Sequence, residues 1–414
     1  MVKVNKVVID YLVNNGLDTF FFVTGGAITP TVDYIGTKEG VRYFCFQHEQ
    51  SAAMAAEAYY RSSGRVGVVL TTSGPGAQNL MNGLCGCWFE SVPCVFITGQ
   101  VSTYESSDSI TMNPRQLGFQ ETSVVEMFKP FTKYCSKIYS VDEVQSTFET
   151  ALQAMFMGRY GPILIDIPVD IQTSDIEDFS DDEVKLPHIL MDKDIDIKID
   201  SLNKLISESE KPLLLLGNGI RLSDSIPLAK ELVETTGIPF VVSWGGFDLL
   251  PHDHPQYVGD IGVYGSRGAN FAVQNCDLLI VLGSRLDTRQ TGGDLKLFSR
   301  HSKKVMVDID ENEILKGRGL DIDLPILNDL NDFLGKFLDV VEHKELNTDW
   351  ENKINEWKSK IYDTYEHEGE LLNSYKFLET LDEYIPDNSI IIPDEGGNLV
   401  WSMQSLKLKE GQRM

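Results

Sequence analysis

The sequence predicts an α/β protein built from parallel-sheet domains with helices on both faces. Three observations point there. Short apolar runs alternate with helical patterns through the first part of the chain. The same alternation resumes after an acidic interruption. The 414 residues suffice for two or three domains of the usual ~100 to 200 residues.

The elements follow in order. Met1 to Asn15 sets Val4, Val7, Val8, Tyr11 and Leu12 at helical spacing among Lys3, Lys6 and Asp10, which predicts an amphipathic helix and not a signal peptide. Thr19–Val23, Arg42–Phe46, Val66–Thr71, Cys94–Thr98 and Ile163–Ile167 read as buried parallel strands with helices between them. The pattern fails after Gln172. Thr173 to Asp200 carries ten acidic residues, an exposed linker by composition. A second block opens with a helix near Ile199–Glu208 and a run from Pro212 to Leu216 that ends in Gly217-Asn218-Gly219. Further strands are expected at Pro239–Ser243, Leu278–Leu282 and Lys304–Asp308. In the third block Trp350, Ile354, Trp357, Ile361 and Tyr365 share one face of a long helix, expected to be core rather than a ligand cage. A helix Ser374–Tyr384, a strand Ser389–Pro393 and a turn Asp394-Glu395-Gly396-Gly397-Asn398 follow. So few elements do not close a domain, so the third block reads as truncated. The expected organisation is residues 1–172, a linker 173–198, residues 199–342 and residues 343–414.

A formal net charge of −26 disfavours nucleic acid as a partner, because no basic field attracts a polyphosphate. No run approaches the ~20 apolar residues of a membrane span, so a cytoplasmic protein without membrane contact is expected. The six cysteines show no paired spacing that suggests zinc, and buried free thiols are expected.

Glu49 is the residue to explain. It stands where the apolar run Phe44–Phe46 passes into a helix rich in small residues, Ser51-Ala52-Ala53-Met54-Ala55-Ala56. Small residues let such a helix pack closely, so a carboxylate at its start is expected to be partly desolvated and able to hold or exchange a proton. The plain alternative, a carboxylate stabilising the positive end of a helix dipole, stays open from this segment alone.

Six phrases then stand in one order: Thr24-Gly25-Gly26-Ala27, His48-Glu49-Gln50, Thr72-Ser73-Gly74-Pro75-Gly76-Ala77-Gln78-Asn79, Gly99-Gln100-Val101, Gly118-Phe119-Gln120-Glu121 and Gly161-Pro162 to Pro168. Together they resemble the pyrimidine-binding domain of thiamine-diphosphate enzymes of the acetolactate synthase large-subunit type. The resemblance continues through Gly262-Val263-Tyr264-Gly265, Gly283 to Gly292 and Val307-Asp308-Ile309-Asp310, which look like that type's central, FAD-holding domain. It therefore implies three-layer α/β domains: pyrimidine-binding, central nucleotide-type and the start of a diphosphate-binding domain.

The resemblance assigns roles. Glu49 would hydrogen-bond the cofactor's aminopyrimidine and so activate its reactive carbon. Gly26, Phe119 and Gln120 would shape the keto-acid pocket. Gly25, Pro75 and Asn79 would contact the cofactor, and Glu395, Gly396, Gly397 and Asn398 would make its first diphosphate contacts. Arg115 would hold a substrate carboxylate or stand in solvent. In the central domain Gly217 and Gly219 would receive a diphosphate, Arg285 and Arg289 would offer forks to phosphate oxygens, and Asp287, Asp308 and Asp310 would complete an FAD cleft. Mg2+ is implied, with ligands beyond residue 414, and none is expected within the chain. The implied reaction is decarboxylation of pyruvate and carboligation to a second carbonyl, by a homodimer or homotetramer serving branched-chain amino acid biosynthesis. The chain by itself is expected to be an inactive fragment.

Two departures bear on substrate. Val169 stands where the type usually has lysine, and Leu117-Gly118 with Ser243 to Asp248 look more like relatives in surface-polysaccharide pathways. A carboligase acting on a nucleotide-linked keto sugar, a simple 2-keto acid decarboxylase and a noncatalytic truncated subunit are the alternatives.

Overall fold

The computed structural model describes residues 1–112, 114–177, 191–359 and 371–414. The chain divides into two compact units, Met1–Ile189 and Leu190–Met414. The first contains β1 (Val2–Lys3), β2 (Thr19–Phe22), β3 (Arg42–Cys45), β4 (Val68–Thr71), β5 (Val95–Gln100), β6 (Tyr134–Lys137), β7 (Ile163–Pro168) and β8 (Asp175–Ile176). Six of these form one parallel sheet in the order β3-β2-β4-β5-β7-β6, while β1 pairs antiparallel with β8.

Strand periodicity makes three layers. Phe20, Phe22, Leu70 and Ile165 pack on one face with Leu12, Phe148 and Met155. Phe21, Val69, Phe96 and Leu164 pack on the other with Ala52, Ala56 and Leu84. Small residues set the depth of that second layer: a Cβ on Gly83 would lie 2.5 Å from Cβ of Ala53, so helices Glu49–Ser63 and Met81–Glu90 nearly touch.

The second unit holds β9 (Pro212–Leu216), β10 (Phe240–Val242), β11 (Tyr257–Asp260), β12 (Leu278–Leu282), β13 (Lys303–Asp308) and β14 (Leu324–Leu327) in one parallel sheet ordered β11-β10-β9-β12-β13-β14. Its two faces are also filled. Met403, Leu406 and Leu408 join one core, and Trp350 and Ile354 join the other. Trp350 is 2 % exposed and donates from Nε1 to the Pro212 carbonyl at 3.2 Å, so this aromatic is core, as its spacing suggests. Ile361 and Tyr365, the rest of that stripe, lie outside the described residues.

Several expectations need correction. β3 is not buried: it is the sheet's edge, with one neighbour, and Tyr43 and Phe44 are about half exposed. Cys45 on the same strand is an exposed thiol, unlike buried Cys87, Cys94 and Cys276. Ser389–Pro393 forms no strand; Ile390 makes a single bridge to Arg413, too little for a ladder. β6, β11 and β14 had no signal, because each is a short border strand whose pattern is broken by polar residues, glycine or proline. The expected 173–198 linker carries structure at both ends, β8 and the start of helix Ile195–Glu208, and its residues 178–190 lie outside the described set.

Candidate active site

In a parallel sheet, side chains that follow the carboxyl ends of the strands converge on one rim, the usual place for a ligand. Here β2 runs into Gly25-Gly26, β4 into Thr72 to Gly76, and β5 ends at Gln100. Glu49 opens helix Glu49–Ser63 behind its N-cap His48, whose Nδ1 accepts from the Gln50 N–H at 3.2 Å. The Glu49 carboxylate accepts from Nδ2 of Asn79 at 2.9 Å and is half-buried. The desolvation expected of it is therefore partial in this chain.

Glycines make room around it. A Cβ on Gly76 would stand 2.8 Å from Cγ2 of Thr72, 3.0 Å from Oγ1 of Thr71 and 3.3 Å from Oε1 of Glu49. A Cβ on Gly25 would lie 2.5 Å from that of Thr72, whose hydroxyl accepts from the Ala27 N–H at 3.2 Å. At Gly26 nothing lies within 4 Å of a Cβ position, so the bare backbone faces open space. Gly74, at φ +61°, abuts Gln120, whose carbonyl would be 2.6 Å from a Cβ there. Glu49, Asn79, Gly25, Gly26 and Gln120 thus share one rim, with Pro75 opening helix Pro75–Asn79 beside them. Phe119 projects outward, 84 % exposed, and Arg115 is exposed too.

Two carboxyl groups near this rim had no role from sequence. Burial pushes Glu121 up, but the hydroxyl and N–H of Ser107, the Leu117 N–H and the Ser106 hydroxyl outweigh it and hold the carboxyl down to about 2. Asp166, 1 % exposed on β7, is pushed up to about 6 by burial, against the Thr98 and Gln100 donors and the Lys137 charge. It accepts from Thr98 Oγ1 at 2.6 Å and from Gln100 Nε2 at 3.0 Å. Its signal was available: a lone acid inside the apolar run Ile163–Ile167.

Comparison of the sequence with known proteins identifies the family. Residues 2–127 match the thiamine pyrophosphate enzyme, N-terminal TPP binding domain, and residues 199–337 match the central domain of the same enzymes. The chain is 33 % identical over 399 residues to acetolactate synthase isozyme 2 large subunit of Escherichia coli (strain K12), covering 94 % of this chain and 68 % of that protein. The chain belongs to the thiamine pyrophosphate enzyme family. It is also 32 % identical over 414 residues to the acetolactate synthase large subunit of Lactococcus lactis subsp. lactis (strain IL1403), covering 99 % of this chain and 70 % of the relative. Against the chloroplastic acetolactate synthase of Arabidopsis thaliana it is 33 % identical over 416 residues, 98 % of this chain and 60 % of the relative.

The pyrimidine half of the family's cofactor fits the first unit: a carboxylate at a helix start, held by Asn79, beside bare glycine backbone. In the central unit the residues expected at a flavin have structural partners of their own. A Cβ on Gly217 would be 2.2 Å from the Gly283 carbonyl and one on Gly219 2.6 Å from Cα of Gly283, so both glycines serve chain packing. Asp287 caps helix Thr288–Thr291, accepting from Arg289 N–H at 2.7 Å, and Asp310 caps Glu311–Leu315, accepting from Asn312 N–H at 3.0 Å. Asp308 accepts from the Asp310 N–H at 3.0 Å, and Arg285 pairs with Glu313 at 3.7 Å. Arg289 is exposed. Glu395, Gly396, Gly397 and Asn398 form an exposed turn into helix Gly397–Ser405, with Gly396 at φ +80°. Among the described residues no three His, Cys, Asp or Glu are grouped to hold a metal, and no helix is long and apolar enough to cross a membrane.

Proposed function

We propose that this thiamine pyrophosphate enzyme decarboxylates pyruvate and joins the remaining two-carbon unit to a second 2-keto acid, as an acetolactate synthase does. The observation that carries the reading is Glu49. It sits at a helix start on the rim, oriented by Asn79, in a chain a third identical to acetolactate synthase large subunits. When bound, thiamine diphosphate supplies the carbon nucleophile for both steps. Glu49 would face the cofactor's pyrimidine ring as its hydrogen-bond partner, and its place in the first turn of a helix capped by His48 sets where the carboxylate stands. Gly25 and Gly26 let backbone approach the ring, and the Phe119–Gln120 loop bounds the space left for the keto acid.

A homodimer is part of the proposal. The edge strand β3 exposes Tyr43 and Cys45 on one side of the sheet and Phe44 on the other, and Met54 on the helix that follows is 42 % exposed, an apolar sheet edge suited to a second copy. Mg2+ belongs to the diphosphate end, for which the described residues provide no ligand cluster. Within the departing segment Ser243–Asp248, Asp248 pairs with Arg221 and Arg413 at 2.6 and 2.7 Å. The test is to incubate the protein as isolated from its source with pyruvate, thiamine diphosphate and Mg2+ and identify products by NMR. Acetolactate is expected; acetaldehyde alone marks a simple decarboxylase and contradicts the carboligation step.

A further inference from the structure

One carboxylate joins two segments of the first unit that are distant from Glu49 in sequence. Oε1 of Glu121 accepts from the Ser107 N–H at 2.6 Å, the Ser107 hydroxyl at 2.7 Å and the Ser106 hydroxyl at 3.0 Å. Oε2 accepts from the Leu117 and Gly118 N–H groups at 3.2 and 3.4 Å. Lys137, nearly buried, adds a cation, donating to Ser106 Oγ at 2.8 Å and to Asp108 at 2.9 Å. The two segments also touch, because a Cβ on Gly118 would lie 2.8 Å from the Glu105 carbonyl.

Between these anchors the chain is held in an unusual shape. Gln120 adopts φ +56°, a left-handed conformation rare for a residue with a side chain, and its carbonyl rests against Gly74. Two residues later the Thr122 carbonyl accepts from Gln100 Nε2 at 3.0 Å, and the same nitrogen donates to Asp166. Phe119 and Gln120 therefore stand on a loop pinned on both sides, with most of the fixing hydrogen bonds on Glu121.

We propose that Glu121 is the positioning residue of the keto-acid pocket: by tying Ser106–Ser107 to Leu117–Gly118 it holds Gln120 against Gly74 and sets where Phe119 stands. The proposal rests on the reading of Phe119 and Gln120 as pocket residues. Glu121 touches neither substrate nor cofactor and acts through the loop.

The test compares the wild-type protein, in the form in which its source makes it, with Glu121→Ala, which removes all five bonds, and Glu121→Gln, which keeps one accepting oxygen. Hydrogen exchange at the Ser107, Leu117 and Gly118 amides should rise ~10-fold or more in E121A, since each bond to a charged acceptor is worth about that factor, and E121Q should fall between. In the pyruvate reaction KM should rise ~10-fold in E121A with kcat within about threefold, the pattern of lost positioning rather than lost chemistry, and E121Q should recover part of it. Unchanged exchange overturns the proposal, and so does faster exchange with KM unchanged. If E121A fails to fold, the same comparison is read on E121Q. A wild-type protein that does not turn over pyruvate contradicts the proposed function instead, and the exchange comparison still decides on the anchor.

Discussion

Replacing Asp166 by asparagine should make the protein more stable at neutral pH, and the gain should vanish in acid. Asp166 is buried beneath the rim with its carboxyl pushed up to about 6, whereas an aspartate in the unfolded chain titrates near ~3.9. For an acid whose folded value is raised, the unfolded chain loses the proton first as pH rises. Stability therefore falls from about pH 4 to about pH 6 and levels off above that. The difference amounts to ~3 kcal/mol by linkage, a net figure in which the opposing pull of Thr98, Gln100 and Lys137 toward the charged form is already contained. Asparagine can keep both contacts, accepting from Gln100 and donating to the Thr98 hydroxyl. Thermal melts of wild type and Asp166→Asn at pH 4 and pH 8 test this. At pH 8 the variant should melt higher by roughly 5 °C or more, taking ~2–4 °C per kcal/mol for a unit of this size, with the difference close to zero at pH 4. A difference that does not change between those pH values, or a variant less stable at pH 8, refutes the reasoning.

Other substitutions probe the frame. Gly99→Ala should cost about 2 kcal/mol or more, because its Cβ would lie 2.2 Å from the Ala27 carbonyl, backbone with little freedom to move; a lowered melting temperature checks it. Trp350→Ala should cost roughly 3–5 kcal/mol by opening a cavity and leaving the Pro212 carbonyl without its donor, read as an earlier urea midpoint. Asp248→Ala should cost about 2 kcal/mol, less than a fully buried pair since Arg221 and Arg413 both reach solvent, and salt should reduce the difference in melting temperature.

Much of this molecule was legible in its residues because its sheets are buried on both faces. The runs Val66–Thr71, Ile163–Ile167 and Leu278–Leu282 have no polar alternation to confuse them, and each is a central strand. Border strands were missed or misjudged for the converse reason. Tyr134–Lys137 carries polar residues because one side of it has no neighbour, and Arg42–Cys45 looks apolar although its aromatics are half exposed. Glu49 was legible because a carboxylate follows an apolar strand and opens a run of alanines. Glu121 was not, since a glutamate in a loop reads as solvated, and only the fold shows that Ser106, Ser107, Leu117 and Gly118 point their donors at it. In the central unit the same limit worked in the other direction. Gly217 and Gly219 look like a phosphate turn, and the sequence does not show that Gly283, more than sixty residues on, leaves no room for a Cβ at either.

The central claim is that the Glu49 carboxylate activates the cofactor, and hydrogen–deuterium exchange at the reactive C2 position of protein-bound thiamine diphosphate tests it most directly. In Glu49→Gln the exchange rate should fall ~100-fold or more relative to wild type, the lower end of what a positioned acid–base group contributes, with cofactor still bound. Equal exchange rates in the two proteins, each saturated with cofactor, would contradict the account.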